Sequence, residues 1–290
     1  MSKSKTEFAF FLGCTIPASQ IFVEKSTGLV AKKLGIKLVD FRGATCCPEP
    51  EMIRLVGHDA WLRIAARNLS IAETMGCDVC VVCPGCYDTF AKANDEFRHD
   101  SKLLDDVNQS LLTIGKHYSG KINIRHIIDL IYSDVGLARL KKLLVKRFNG
   151  LRVAAQYGCR LQRETEMEYL KKFDEILLTI GVEIVRYNSE RLCCGVPTTH
   201  GNPEFALEQR AKVKLEEIKK TGADAIVLVC PACYDMLEKA EFAFFDPENF
   251  VPVINLVELI ALGLGFSPEE IGMDIHRIPI ERVLEKLEAV

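Results

Sequence analysis

Five cysteines recur in the same order in the two halves of this 290-residue chain, and no other feature restricts its folding as tightly. The first set is Cys14, 31 residues, the adjacent pair Cys46-Cys47, 35 residues, then Cys83-Pro84-Gly85-Cys86. The second is Cys159, 33 residues, Cys193-Cys194, 35 residues, then Cys230-Pro231-Ala232-Cys233. This pattern places ten of the twelve cysteines. It also extends beyond them: Gly13-Cys14 matches Gly158-Cys159, Leu34-Gly35-Ile36 matches Ile180-Gly181-Val182, and Cys86-Tyr87-Asp88 matches Cys233-Tyr234-Asp235. The offset stays between 145 and 147 residues, so both halves follow one plan. Residues 124–131 resemble 253–260 but lie about eighteen residues further from the last cysteine of their half, which places an insertion near 95–117. The boundary is expected at Phe148-Asn149-Gly150, dividing the chain into 1–149 and 150–290.

Each cysteine group follows a short apolar run. Phe8 to Leu12 and Val153 to Tyr157 read as first strands, 36–41 and 182–187 as second strands, 79–82 and 225–229 as third strands. Helical segments separate them, one carrying Trp61, Ile64, Ala65, Leu69, Ala72 and Met75 on a single face. Strand and helix in alternation predict an α/β protein of two pseudo-symmetric Rossmann-like units with parallel sheets, each bearing one cysteine motif. In such sheets ligands gather beyond the carboxyl ends of the strands, so the three cysteine groups of each half can converge there.

Hydrophobic residues make up 48% of the chain, which excludes disorder, and a net charge of -3 argues against a polyanion partner such as nucleic acid. Lys141, Lys142, Lys146 and Arg147 read as a solvated helical face. The N-terminus lacks the apolar run of a secretory signal, and the stretch Leu259 to Phe266 is far shorter than a membrane helix requires. A cytoplasmic protein is therefore expected, where thiols stay reduced and serve metals or redox chemistry. Adjacent thiolates such as Cys46-Cys47 reach two metal atoms more easily than one tetrahedral centre, which favours a multi-iron cluster over a single ion.

Cys77 and Cys80 would complete a ferredoxin-like run with Cys83 and Cys86. In the second half Val227 stands at the place of Cys80, and Asp224 or Ala223 at that of Cys77. Both are accordingly read as non-ligands, with Cys80 packed as a small hydrophobe.

The duplicated motif, known as the cysteine-rich CCG domain, resembles the B-type subunit of heterodisulfide reductase over nearly the whole chain. The resemblance implies two noncubane 4Fe-4S clusters, one on Cys14, Cys46, Cys47, Cys83 and Cys86, the other on Cys159, Cys193, Cys194, Cys230 and Cys233. It implies reductive cleavage of the disulfide joining coenzyme M and coenzyme B between them. Electrons would come from a ferredoxin-like C-type subunit, itself fed by an FAD-containing A-type subunit, with a hydrogenase or formate dehydrogenase as further candidate partners. The chain has no dinucleotide fingerprint of its own, which fits a subunit that receives electrons. Arg160, Arg163 and His200 lie near the second cysteine set and are candidates for the charged ends of a disulfide substrate. The first copy reads Cys46-Cys47-Pro48 where the second has Cys193-Cys194-Gly195. A second reading stays open: another disulfide as substrate, or an electron-transfer or scaffold subunit with one cluster and one zinc ion.

Overall fold

The apolar runs before the cysteine groups are strands in the computed structural model, which describes residues 7–160 and 162–290, without the side chains of 162–167. In the first half β1 (Glu7–Phe11), β2 (Lys37–Asp40), β3 (Asp78–Val81) and β4 (Ile124–His126) form a parallel sheet in the order β2-β1-β3-β4. After β5 (Lys146–Phe148), the strands β6 (Arg152–Gln156), β7 (Glu183–Val185), β8 (Ala225–Leu228) and β9 (Val253–Asn255) repeat that sheet as β7-β6-β8-β9. The C-terminal β10 (Leu287–Ala289) then returns to pair antiparallel with β5. Parallel neighbours cannot be joined by tight turns, so helices such as Ile21–Leu34 and His58–Thr74 carry the chain back between strands.

The internal faces follow from side-chain spacing. Helix His58–Thr74 buries Trp61, Leu62, Ala65, Ala66, Leu69 and Ala72. Ile64 and Met75, expected on that face, are instead 37% and 38% exposed, because the buried stripe turns toward Leu62 and Ala66. The insertion is helix Ser101–Leu112, tied down where Asn108 Nδ2 donates to the Tyr118 carbonyl at 2.9 Å. One buried cluster runs through both halves, joining Phe8, Phe22 and Ile131 to Val153, Phe173 and Val257, while a second surrounds Trp61, Phe90 and Phe97 in the first half. Lys141 and Lys142 are exposed on helix Leu137–Leu143, but Lys146 and Arg147 belong to β5 rather than to that helical face. No helix among the described residues is long and apolar enough to cross a membrane, and the apolar stretch near 259 lies largely in the fully buried helix Leu256–Gly263.

The last strand of each sheet ends in a polar residue that starts the next helix. His126 Nδ1 accepts from Ile128 N at 3.3 Å, and Asn255 Oδ1 accepts from Val257 N at 3.2 Å. A backbone N–H can only donate, so His126 is the neutral tautomer with its proton on Nε2, donated to the Val82 carbonyl at 2.6 Å. Burial holds its pKa down to about 4. Between about pH 6.5 and 4 the unfolded chain binds a proton there that the native fold does not, so stability is lost as pH falls through that window, by about 3 kcal/mol in all. Denaturant unfolding from pH 7 to pH 4 should show this slope, and His126→Gln should remove its share of it.

Candidate functional site

Strand order explains how cysteines far apart in sequence meet. In each sheet the first strand lies between the second and the third, all parallel, so the loops leaving their carboxyl ends are neighbours. Those loops carry Cys14, Cys46-Cys47 and Cys83 in one half and Cys159, Cys193-Cys194 and Cys230 in the other. The order in which strands are added also reverses beside β1 and beside β6, the position where open parallel sheets hold ligands. Cys83 and Cys230 each stand immediately before a helix that begins with proline, Pro84–His99 and Pro231–Phe244. Cys86 and Cys233 therefore fall in the first helical turn, and their contacts with Cys47 and Cys83, and with Cys194 and Cys230, together with burial, push both thiols up.

The thiols form the same chain of contacts twice. Cys14 meets Cys46, Cys47 meets both Cys46 and Cys86, and Cys86 meets Cys83. Cys159 meets Cys193, Cys194 meets both Cys193 and Cys233, and Cys233 meets Cys230. Hydrogen bonds from Cys46 and Cys86 pull the Cys47 thiol down to about 6 despite its burial. Contact with Cys159 and Cys194 likewise holds Cys193 far below the ordinary thiol range, while contact with Cys193 and burial push Cys159 up. In each half the sulfurs run as one string of contacts. A string of soft donors, some already favouring thiolate, fits a cluster of several iron atoms. Gly13 completes the packing: its φ is +74°, and an added Cβ would lie 3.0 Å from Cys86 Sγ.

The other two cysteines stand apart from these strings. Cys80 lies within β3, fully buried, and burial pushes its thiol strongly upward. Cys77 is also buried, its Sγ donating to the Met75 carbonyl at 3.5 Å.

Residues flanking the two cysteine groups cross the interface between the halves. Arg160, next to Cys159, donates to Asp88 Oδ2 at 2.9 Å and pairs with Glu51, both from the first half. Asp88 is two residues beyond Cys86 and is also held by Lys92 at 2.5 Å. In the reverse direction Gln20 Nε2 donates to the Pro231 carbonyl at 2.9 Å and to Asp235 Oδ1 at 2.8 Å. Each Cys-Tyr-Asp helix thus abuts the first cysteine segment of the other half. Beside this crossing Tyr87, Asp88, Arg125, Arg160, Tyr169 and Lys172 line a cavity of about 260 Å³. The buried Tyr169 hydroxyl has no hydrogen-bond partner among the described residues.

Of the candidate substrate contacts, Arg160 is buried and engaged by two carboxylates, and His200 is exposed at the end of the turn Val196–His200 after the second cysteine pair. The Arg163 side chain lies outside the described residues. Sequence reasoning missed Asp88, Asp235, Gln20 and Glu51 as joining residues. The repeated Cys-Tyr-Asp tripeptide was the available signal for the two aspartates, whereas Gln20 and Glu51 have no matching residue type in the other copy.

The cysteine-rich domain family, CCG, matches residues 8–91 and 153–238, which contain both cysteine sets. The B-type subunit of the ferredoxin/F(420)H(2)-dependent CoB-CoM heterodisulfide reductase of Methanosarcina acetivorans is 33% identical over 97% of this chain and 97% of its own. A protein of Archaeoglobus profundus described as like that heterodisulfide reductase subunit is also 33% identical, over 97% of this chain and 98% of its own. The 8-methylmenaquinol:fumarate reductase membrane anchor subunit of Wolinella succinogenes is 28% identical over 92% of this chain and 95% of its own. A hypothetical protein from Helicobacter pylori has the same fold, with a TM-score of 0.76 at 16% identity over 95% of this chain and 52% of that one. With both halves matched and a third of its residues shared end to end with these subunits, the chain belongs to the heterodisulfide reductase B-type family of duplicated CCG proteins.

Proposed function

We propose that this chain is the disulfide-cleaving subunit of a heterodisulfide reductase, with 1–149 and 150–290 as its two cluster-binding halves. Cys14, Cys46, Cys47, Cys83 and Cys86 would hold one noncubane 4Fe-4S cluster, and Cys159, Cys193, Cys194, Cys230 and Cys233 the other. The observation that carries this reading is the crossing at the interface, where Arg160 joins the Cys159 segment to the Cys86 helix and Gln20 joins the Cys14 segment to the Cys233 helix. It supports two sites that face one another. When bound, the clusters supply electrons singly to the two sulfurs of one S–S bond.

The chain's own residues fix the geometry of that reaction. Two electrons and two protons convert the disulfide into two thiols, and the rigid pairing of Arg160 with Asp88 and Glu51 keeps the halves at one separation while this happens. The polar cavity beside Tyr169 offers a charged substrate end both cations and carboxylates. Partners of the ferredoxin-like C-type and the FAD-containing A-type would deliver the electrons, in keeping with relatives that are themselves named as subunits. Anaerobically purified protein given reduced viologen dye should cleave the coenzyme M-coenzyme B disulfide and leave an unrelated protein disulfide intact. Turnover of the protein disulfide alone would replace the substrate assignment, and turnover of neither would overturn the reading.

A further inference from the structure

The two cysteine groups repeat in plan but differ in the charge built beneath them. Asn68 and Lys214 occupy corresponding places, on the helix that precedes the third strand of each half, and both are buried, at 0% and 1% exposure. Each fastens the segment leading to a cysteine pair. Asn68 Nδ2 donates to the Cys46 carbonyl at 3.2 Å, and its Oδ1 accepts from Thr45 N at 2.9 Å. Lys214 Nζ donates to the Ser189 carbonyl and lies 5.2 Å over the Tyr187 ring. The same task is done by a neutral amide in one half and an ammonium in the other. Burial pulls the Lys214 ammonium down to about 8, and the charge of the Cys233, Cys194 and Cys193 sulfurs acts in the opposite direction, toward keeping it protonated.

A second difference acts on the same site. Gly195 N–H donates to Cys193 Sγ at 3.4 Å, whereas its counterpart in the first half, Pro48, has no N–H to give. Gly195 has φ +105°, and an added Cβ would lie 2.9 Å from the Ala206 carbonyl oxygen and from Arg210 Cβ, so other side chains are excluded there.

The remaining charges do not cancel this asymmetry. Arg160 beside Cys159 is answered by Asp88 and Glu51, with Lys92 also on Asp88. Glu217, which accepts from Ser189 N at 2.8 Å, is the one carboxylate among the principal partners of Lys214, and it stands partly in solvent where its field is screened. In the first half Arg67 reaches Asn68 Oδ1 at 3.1 Å, but from the partly exposed side.

Reduction adds negative charge to an iron-sulfur centre, so a buried cation and an N–H donated to a ligand sulfur both favour the reduced form. We propose that Lys214, aided by the Gly195 N–H, raises the reduction potential of the second site, a bias for which the first site has no buried equivalent. This rests on the cluster-binding reading given above. Lys214 acts as a positioning residue, through its charge and through the segment it fastens. Water at the exposed Cys14 and Cys46 also favours reduction at the first site, so the signature of Lys214 is a shift in the second site's own potential.

The test is a potentiometric titration followed by electron paramagnetic resonance, in the full chain carrying Cys47→Ala so that only the second site is read. Lys214→Met should lower the midpoint enough to change the oxidised-to-reduced ratio at least about tenfold at a fixed potential, which is about 59 mV for a one-electron couple. Lys214→Arg should stay close to the parent. The reciprocal Asn68→Lys, placed in Cys194→Ala, should raise the midpoint of the first site, and it decides the matter should Lys214→Met fail to fold. An unchanged midpoint in Lys214→Met or Asn68→Lys, or an equal shift in Lys214→Arg and Lys214→Met, would overturn the role of Lys214 while leaving the clusters in place. Absence of any iron-sulfur signal from the Cys47→Ala and the unaltered chain would overturn both readings together.

Discussion

Cys194→Ala should reduce disulfide turnover to less than about one hundredth of the unaltered rate, and Cys47→Ala should do the same, because sites that act as a unit fail together. Cys194 is the central link of the second string of thiols, between Cys193 and Cys233, and Cys47 links Cys46 to Cys86 in the first. Removing either sulfur breaks the string at its middle. The double variant should be hardly worse than the single ones, since a disulfide held between two sites cannot be opened by one of them. Reduced viologen supplies electrons without any partner protein, so the assay reads this chain alone. A Cys194→Ala protein that kept a large fraction of the rate would show that one site suffices.

Arg160→Ala should cost about 3 kcal/mol of unfolding free energy, read as a lower denaturant midpoint at unchanged slope. The figure comes from what remains behind. Asp88 has only 2% of its side chain exposed, so losing Arg160 strips a buried carboxylate of one of its two cations. Lys92 stays in place, which keeps the loss at the low end of the range for breaking a buried pair. Arg160→Lys should recover little, because one ammonium cannot reproduce the fork that meets Asp88 and Glu51 at once. Adding Asp88→Asn to Arg160→Ala should restore part of the stability by removing the stranded charge. Equal stability in Arg160→Ala and the unaltered chain would mean that this pair does not hold the halves together.

The parts of this structure that were legible from residues alone are those with a local signal repeated twice. The strands before each cysteine group and the loops after them follow from a pattern whose two copies check one another, and the mismatch between the copies gives the place of the insertion but not that it is the helix Ser101–Leu112. The short strands β4 and β9 show only as similar segments, since three residues are too few for periodicity to register. The pairing of β5 with β10 joins segments about as far apart as the halves are long, and nothing near either one announces the other.

At the site, the cysteines stand out in the sequence because few other residue types repeat in that pattern, whereas most of the residues that support them do not. Asp88 lies in a repeated tripeptide and Arg160 beside a cysteine, but nothing in the sequence pairs them, and only the interface puts them 2.9 Å apart. Lys214, at the start of helix Val213–Lys220 among other charged residues, carries no sign in sequence that its helix turns it inward. His126 is likewise silent, as its task depends on the Val82 carbonyl of the neighbouring strand end.

Iron, acid-labile sulfide and zinc per chain, measured on anaerobically purified protein, test the central claim most directly. About eight irons and little zinc are expected, falling to about four in Cys47→Ala and in Cys194→Ala, and staying near eight in Cys80→Ala. About four irons with one zinc in the unaltered chain, or loss of iron in Cys80→Ala, would contradict two equivalent five-cysteine sites.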